Sequence, residues 1–175
     1  MSEHLIEATA WVLGDDVNTD LNCSGKYLPG KDEAYIAAHA FEAVDPSFVQ
    51  HFKSGDIIVA GTHFGINSSR EQAVHILRRM GVAAIVAPSF GRQFFRNAIN
   101  NGLLVLECDT AGLPNGASAR LDLQAHTFTV TPADDATQPP ITRSFRALPE
   151  AILAILREGG LIPFLKKYPN WEVTA

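Results

Sequence analysis

The sequence predicts an α/β fold in which a small mixed sheet is flanked by helices, as one domain of residues 1–175. Apolar runs at residues 57–60 and 82–87 are typical of buried parallel strands. Apolar residues between them fall at helical spacing, so strand, helix and strand form a right-handed βαβ unit. Residues 120–131 alternate apolar and polar side chains, which predicts paired antiparallel strands.

The remaining elements are predicted from apolar spacing and from the positions of glycine and proline. They are, in order, a strand at residues 8–13, a polar loop at 18–20, a helix at 33–41, a helical turn at 48–52, a helix at 93–101, a strand at 103–106, a loop at 134–140 and a helix at 149–157. Gly102 ends one helix, and Pro149 begins another. Proline and glycine within residues 27–31 exclude regular structure there.

The composition limits the classes of function. A net charge of −5 without blocks of like charge argues against nucleic acid or an anionic membrane as the main partner. No apolar run approaches the roughly 20 residues that span a bilayer. Cys23 and Cys108 form no CxxC pair and no secretory signal is evident, so we expect free thiols in the cytoplasm. Two cysteines cannot ligate an iron–sulfur cluster, and the histidines lack metal-ligand spacing, so we expect no metal site.

Ser68, Ser69 and Arg70 occupy the junction between the strand at 57–60 and the following helix. Free backbone N–H groups at such a junction suit an anion, and Arg70 could hold a carboxylate by two parallel hydrogen bonds. We expect Arg70 inside the first helical turn, where its charge opposes the helix dipole and so gives a structural cap no advantage. The helix dipole and the charge of Arg70 would both favour an ionised hydroxyl oxygen on Ser68, which makes Ser68 a candidate base. The alternative is a capping box, formed by Ser68 with Glu71 or by Ser69 with Gln72.

Several motifs resemble one known family. Residues 64–71, FGINSSRE, resemble the FGxGSSRE motif of the swivelling domain of the aconitase superfamily. Residues 14–20, GDDVNTD, are similar to the GDxINTD segment of isopropylmalate isomerase small subunits, and residues 27–28 match the YL that opens their substrate-recognition loop. Two later segments also match, at residues 81–90 and 94–103. The resemblance spans about residues 10–106, and weakly the rest, and it implies the family's swivelling β/β/α domain with a small mixed, mostly parallel sheet.

The resemblance implies a small subunit that closes over a large subunit carrying a [4Fe–4S] cluster, as a heterodimer or heterotetramer. The cluster would bind the hydroxyl and a carboxylate of a small hydroxy di- or tricarboxylate. By resemblance, Ser68 would remove a proton from carbon, Ser69 would help hold that serine or the substrate, and Arg70 would bind a substrate carboxylate. Asp20 matches an acidic residue of the family's active site. Elimination and re-addition of water would follow, and this chain, holding no cofactor, would be inactive alone.

The family's recognition loop corresponds here to Tyr27, Leu28, Pro29, Gly30 and Lys31. The family tends to place there apolar residues for an isopropyl group, or an arginine for an extra carboxylate, and Pro29-Gly30-Lys31 supplies neither. The resemblance favours 3-isopropylmalate, and so leucine biosynthesis, because that enzyme is the commonest bearer of the pattern. Homoaconitase and 2,3-dimethylmalate dehydratase small subunits stay open as alternatives.

Ile66 and Asn67 depart from the Cys-Gly pair that usually precedes the two serines in the family. Asparagine is the residue next best suited to a positive φ, so we expect the backbone turn to survive, while Ile66 would narrow the pocket. If the residues at positions 66 and 67 abolish the reaction, the chain would be a non-catalytic module that binds carboxylates. A structural interaction domain is the third possibility, and it predicts that Arg70 is dispensable.

Overall fold

The structure, a computed structural model, describes residues 4–67, 70–133 and 138–171. Ser68 and Ser69 therefore lie outside the described residues, as do four of the seven residues of the predicted loop at 134–140. The strands within the described ranges are β1 Leu5–Val12, β2 Ile57–Val59, β3 Ala84–Ala87, β4 Leu104–Glu107, β5 Ala117–Asp122, β6 Thr127–Thr131 and β7 Ile141–Ser144. The helices are α1 Thr19–Asn22, α2 Glu33–Ala38, α3 Phe48–His51, α4 Glu71–Arg79, α5 Arg92–Asn100, α6 Glu150–Arg157 and α7 Leu161–Lys167.

All seven described strands form one sheet, in the order β4-β3-β2-β1-β5-β6-β7. The four strands from β4 to β1 are parallel, and β1, β5, β6 and β7 pair antiparallel. Val59 of β2 stands opposite Val12 of β1 and Val86 of β3. The predicted βαβ unit is β2-α4-β3, and the predicted mixed sheet flanked by helices is confirmed.

The sheet curls until its two outer strands approach each other. Cys108, directly after β4, forms an antiparallel bridge with Phe145, directly after β7. Beside this bridge, the Arg143 Nε atom lies 3.3 Å from the Asp109 Oδ2 atom. The contact protects the ends of two edge strands that would otherwise expose unpaired backbone groups.

The two faces of the curled sheet bury separate cores. The inner face is filled by alternate side chains of the strands, including Val59, Val86, Leu106, Leu121 and Phe128. The outer face of β2, β3 and β4 packs against the helices, mainly through the apolar sides of α2, α4, α5, α6 and α7. A strand that is buried on both faces is apolar at nearly every position. For this reason continuous apolar runs in the sequence predicted β2 and β3.

Asp56 fixes the start of β2 against β1. It is 7% exposed, and its carboxylate accepts hydrogen bonds from the Thr9 N–H at 3.1 Å, the Trp11 indole N–H at 2.8 Å and the Lys53 N–H at 2.9 Å. A buried carboxylate satisfied in this way holds two strands in one register.

Four details of the sequence prediction are wrong. Residues 18–20 were expected to be a loop, but Asn18 caps the short helix α1 by accepting hydrogen bonds from the N–H groups of Asp20 and Leu21. The helix expected at residues 33–41 ends at Ala38, and Phe41 has a φ of +62° that no helix continues. Neither β7 nor α7 was predicted. β7 has no buried residue to mark it, and Pro163 of α7 sits in the first turn, where its missing N–H needs no partner.

The structure also bears on membrane association. Within the described ranges, no helix is both long and apolar enough to cross a bilayer.

Candidate functional site

Three loops meet at the carboxyl ends of the parallel strands. The loop after β1 is tied to the loop after β2, because Gly65 donates its N–H to the Val17 carbonyl at 2.8 Å. The loop after β3 joins them through the Gly91 N–H, which donates to the Phe64 carbonyl at 2.8 Å. Ligands of open α/β sheets bind outside the carboxyl ends of the strands, so this edge is the candidate site.

The loop after β2 follows a path that needs left-handed backbone conformations at alternate residues. His63, Gly65 and Asn67 have φ values of +61°, +76° and +57°. A Cβ atom on Gly65 would lie 2.3 Å from Cγ of Phe94, so only glycine fits between this loop and α5. The prediction that Asn67 supports a positive φ in place of glycine is confirmed.

Arg70 stands at the N-cap position of α4, one residue before the first turn in which it was expected. Glu71 and Gln72 are therefore the first and second residues of the helix, whereas a capping box needs one of them at the third position, so the capping-box alternative is wrong. Ser68 and Ser69 themselves lie outside the described residues. The two side chains that could complete a capping box form hydrogen bonds elsewhere. The Glu71 carboxylate accepts from the Asn101 amide at 2.7 Å, and the Gln72 side chain accepts from the Gly25 N–H at 2.8 Å. Arg70 itself is exposed and forms no ion pair within the described part of the chain.

Asp20 is held as a buried carboxylate near the start of α1. Its residue is 4% exposed, and its backbone carbonyl accepts a hydrogen bond from the Ser24 hydroxyl at 2.6 Å. Cys23 lies one turn further on and is fully buried. Burial first, and the negative charge of Asp20 second, raise the pKa of the Cys23 thiol far above its ordinary value.

The predicted recognition loop is anchored at its start. The Gly25–Gln72 hydrogen bond ties it to the first turn of α4, directly behind Arg70. The Tyr27 hydroxyl donates to the Glu42 carboxylate at 2.7 Å, and burial together with this carboxylate raises the pKa of Tyr27 to about 12. Leu28 packs against the core between the sheet and the helices. These contacts fix where the loop leaves the body of the protein.

The second half of the recognition loop is exposed. Pro29, Gly30 and Lys31 all face solvent, and Gly30 turns the chain with a φ of +75°. The Lys31 ammonium lies 4.6 Å above the centre of the Tyr35 ring. A cation held over an aromatic ring is partly compensated there, so Lys31 already has a favourable contact inside this chain.

Comparison with known proteins decides the family. The 3-isopropylmalate dehydratase small subunit 2 of Archaeoglobus fulgidus is 41% identical to this chain over 94% of it and 96% of the relative. This chain belongs to the family of dehydratase small subunits.

Further comparisons agree with this membership. Residues 27–111 match the family model of the aconitase C-terminal domain. The crystal structure of a 3-isopropylmalate dehydratase from Methanocaldococcus jannaschii superposes with a TM-score of 0.82 at 36% identity, covering 94% of this chain and 95% of that one. The methanogen homoaconitase small subunit of the same organism is 37% identical over 93% of this chain and 92% of the relative. The resemblance read from the motifs and the predicted fold are both confirmed.

A second group of polar residues lies at the same edge, and the sequence analysis assigned it no role. Asp15 accepts hydrogen bonds from the Thr62 N–H at 2.6 Å and the Thr62 hydroxyl at 2.9 Å, which hold the pKa of Asp15 below its usual value. The His63 Nδ1 atom lies 3.0 Å from the Asp16 carboxylate, with both side chains exposed. The family-like segment at 14–20 was the signal for this group, because its acidic residues precede Asp20 in the same loop.

The two cysteines do not fit the ligand set of an iron–sulfur cluster. Both are free and buried, Cys23 among the helices and Cys108 on the inner face of the sheet. Burial is the main cause that raises the pKa of each thiol, whereas a cluster is held by thiolates. The part of the chain that the structure describes also contains no group of three or more histidine, cysteine, aspartate or glutamate residues able to hold a metal.

Proposed function

We propose that this chain is the small subunit of a 3-isopropylmalate dehydratase, a cytoplasmic hydro-lyase that isomerises 3- and 2-isopropylmalate in leucine biosynthesis. The observation that carries the proposal is the convergence of the three loops at one sheet edge, in a chain of this family. The Gly65–Val17 and Gly91–Phe64 hydrogen bonds hold those loops together, and they lead to Asp20 and to Arg70. Loops far apart in the sequence are thereby held at one edge of the sheet.

The electrostatics of the α4 start support the proposed roles. An exposed guanidinium on Arg70 stands where the helix dipole is positive, and both favour a bound carboxylate. In the proposal, Arg70 binds a substrate carboxylate, and Ser68 takes the proton from the adjacent carbon as a base. Ser69 supports Ser68 or the substrate. Asp20, which is buried in the loop after β1, is proposed as the acidic residue of the active site.

The proposal assigns the [4Fe–4S] cluster to a large subunit, because the two buried thiols of this chain do not fit as its ligands. Bound there, the cluster would supply the Lewis acid for removal of the hydroxyl group. This chain would supply the carboxylate site and the base, and would therefore be inactive without its partner. A complex of the two subunits is part of the proposal.

The recognition loop supports a malate-type acid with an uncharged branch. Lys31 is held over the Tyr35 ring, and no arginine stands in residues 27–31 to receive a third carboxylate. Homoaconitate is the second candidate, since a homoaconitase small subunit is among the similar proteins at 37% identity. The exposed Pro29-Gly30-Lys31 segment would determine which of these acids is bound. A third candidate substrate of the same class is 2,3-dimethylmalate.

The test combines this chain anaerobically with candidate cluster-bearing subunits and follows formation of the unsaturated acid by ultraviolet absorbance. We expect turnover of 3-isopropylmalate by the pair and none by the chain alone. Ser68→Ala should lower kcat by about 100-fold or more without weakening assembly, because the base is removed. The control Ser118→Ala changes an exposed serine of β5, in the antiparallel half of the sheet, and should leave kcat unchanged.

Other outcomes discriminate the alternatives. Absence of turnover with every partner, combined with carboxylate binding that Arg70→Ala removes, would favour the non-catalytic binding module. A homoaconitate preference across a panel of hydroxy acids would select the second candidate. A fully active Ser68→Ala pair would overturn the role of this serine.

A further inference from the structure

A groove flanked by arginines runs along the candidate edge, next to the loops already described. It consists of two adjoining cavities of about 280 and 390 Å3 that share Phe95 and Glu107. We call it the arginine groove and define it by Phe90, Arg92, Phe95, Arg96, Glu107 and Arg146. Beyond Arg146, its floor continues over the apolar start of α6.

The arginine groove is continuous with the proposed active site. Phe90 pairs with Phe64 in a parallel bridge, so one end of the groove borders the loop after β2. Glu107 is the last residue of β4 and marks the same carboxyl end of the sheet. Any protein that covers the loops at this edge would also reach the groove.

The charges of the arginine groove lack ion-pair partners among the residues that the structure describes. Arg92, Arg96 and Arg146 surround a single carboxylate, and none of the three forms an ion pair among the described residues. Arg92 and Arg96 are four residues apart on α5, where like charges repel. Arg92 also opens a helix whose first turn has no acidic residue, so it opposes the helix dipole. An arrangement unfavourable in the isolated chain becomes favourable once carboxylates bind to it.

The residue types also suit a protein partner. Arginine and aromatic residues dominate the energetically important positions of protein interfaces. Phe90 and Phe95 are only half-buried, although Phe95 contacts the core, so each leaves apolar surface open in the groove. The concave, open shape and the mixed lining fit a segment that carries both apolar and acidic side chains.

We propose that the arginine groove receives an acidic, partly apolar segment of the cluster-bearing large subunit and thereby aligns the two halves of the active site. The inference rests on the proposed function, which requires a partner at this edge. Charge complementarity and continuity with the site loops carry it. The groove binds the partner protein and takes no part in the reaction itself.

The test measures the dissociation constant of the two subunits by calorimetry, without substrate. Arg92→Glu/Arg96→Glu should raise Kd by about 30-fold or more and weaken its dependence on salt, because two attractive charges become repulsive. Arg92→Gln/Arg96→Gln, which is milder for folding, should give a smaller loss in the same direction. The matched control Arg78→Glu/Arg79→Glu makes the same charge change on exposed residues of α4 and should alter Kd by about twofold at most.

Turnover provides the second readout. At large-subunit concentrations well above the raised Kd, the groove variants should recover wild-type kcat, as expected for a docking surface. An unchanged Kd in both groove variants would overturn the inference while leaving the proposed function intact, provided that the wild-type pair is active. Loss of kcat at saturation with unchanged Kd, or loss of free dicarboxylate binding to the isolated chain, would also overturn it and reassign the groove to small anions. Failure of the wild-type pair to associate would remove the proposed function and this inference together.

Discussion

Replacement of Gly65 by alanine tests the tight packing between α5 and the loop after β2. Gly65 has a φ of +76°, and a Cβ atom there would lie 2.3 Å from Cγ of Phe94, a fully buried ring of α5. The left-handed conformation alone costs an alanine about 1–2 kcal/mol, partly offset by the lower entropy of the unfolded chain. Overpacking against a buried ring adds about 1–3 kcal/mol. We therefore expect Gly65→Ala to lower the free energy of unfolding by about 3 kcal/mol.

Gly30 provides the matched control for Gly65→Ala. Its φ of +75° is nearly the same, but nothing lies within 4 Å of the position its Cβ would take. Gly30→Ala should therefore lower the free energy of unfolding by no more than about 1 kcal/mol. Urea denaturation followed by circular dichroism measures both, and the difference of about 2 kcal/mol isolates the steric contribution. Equal losses in the two variants would refute the claim that α5 fixes the path of the loop.

Three further predictions concern individual contacts. Tyr27→Phe should reduce the free energy of unfolding by about 1 kcal/mol at pH 8 by removing the hydrogen bond to Glu42. Because the folded-state pKa of Tyr27 is raised to about 12, its contribution is full below about pH 10 and is lost as the pH rises through 12, so the difference in free energy of unfolding from wild type should shrink there. Asp56→Ala leaves the three N–H groups that bind this carboxylate unpaired, and it should lower the free energy of unfolding, measured by urea denaturation, by about 3 kcal/mol. A decrease of less than about 1 kcal/mol would contradict the role of Asp56 in fixing the register of β1 and β2. Arg70→Ala should lower kcat/KM of the assembled enzyme about 100-fold yet shift the unfolding free energy by less than about 0.5 kcal/mol, and a stability loss without a kinetic loss would make Arg70 structural.

The parallel half of the fold was readable from the sequence because its signals are local. β2 and β3 are apolar on both faces, and α4 and α5 carry apolar residues at helical spacing. The curl of the sheet was not readable, since it depends on a bridge between Cys108 and Phe145, 37 residues apart. β7 exposes or half-buries every residue, so it has no apolar alternation to reveal it.

The candidate site was predicted from motifs, and its geometry came from tertiary contacts. The doubled serine before Arg70 identified the junction, but not the start of α4 at Glu71. The distribution of hydrogen bonds explains this difference. The side chains that a capping box would use reach instead to Gly25 and Asn101, on two other loops. A local pattern cannot distinguish a cap from a long-range tether when the same residue types serve both.

The departure at Ile66-Asn67 illustrates which features of an active-site loop the fold determines. Asn67 reaches a φ of +57°, while Gly65, two residues earlier, takes a positive φ against a buried ring. This loop donates backbone N–H groups in its hydrogen bonds to Val17 and Ser89, so these bonds do not depend on the side chain at position 66. The loop path is thus set by backbone conformation and by the packing of α5 beneath it. Under the proposed function, we therefore expect substitutions at half-buried Ile66, like those in the exposed Pro29-Gly30-Lys31 segment, to alter substrate choice without changing the path of the loop.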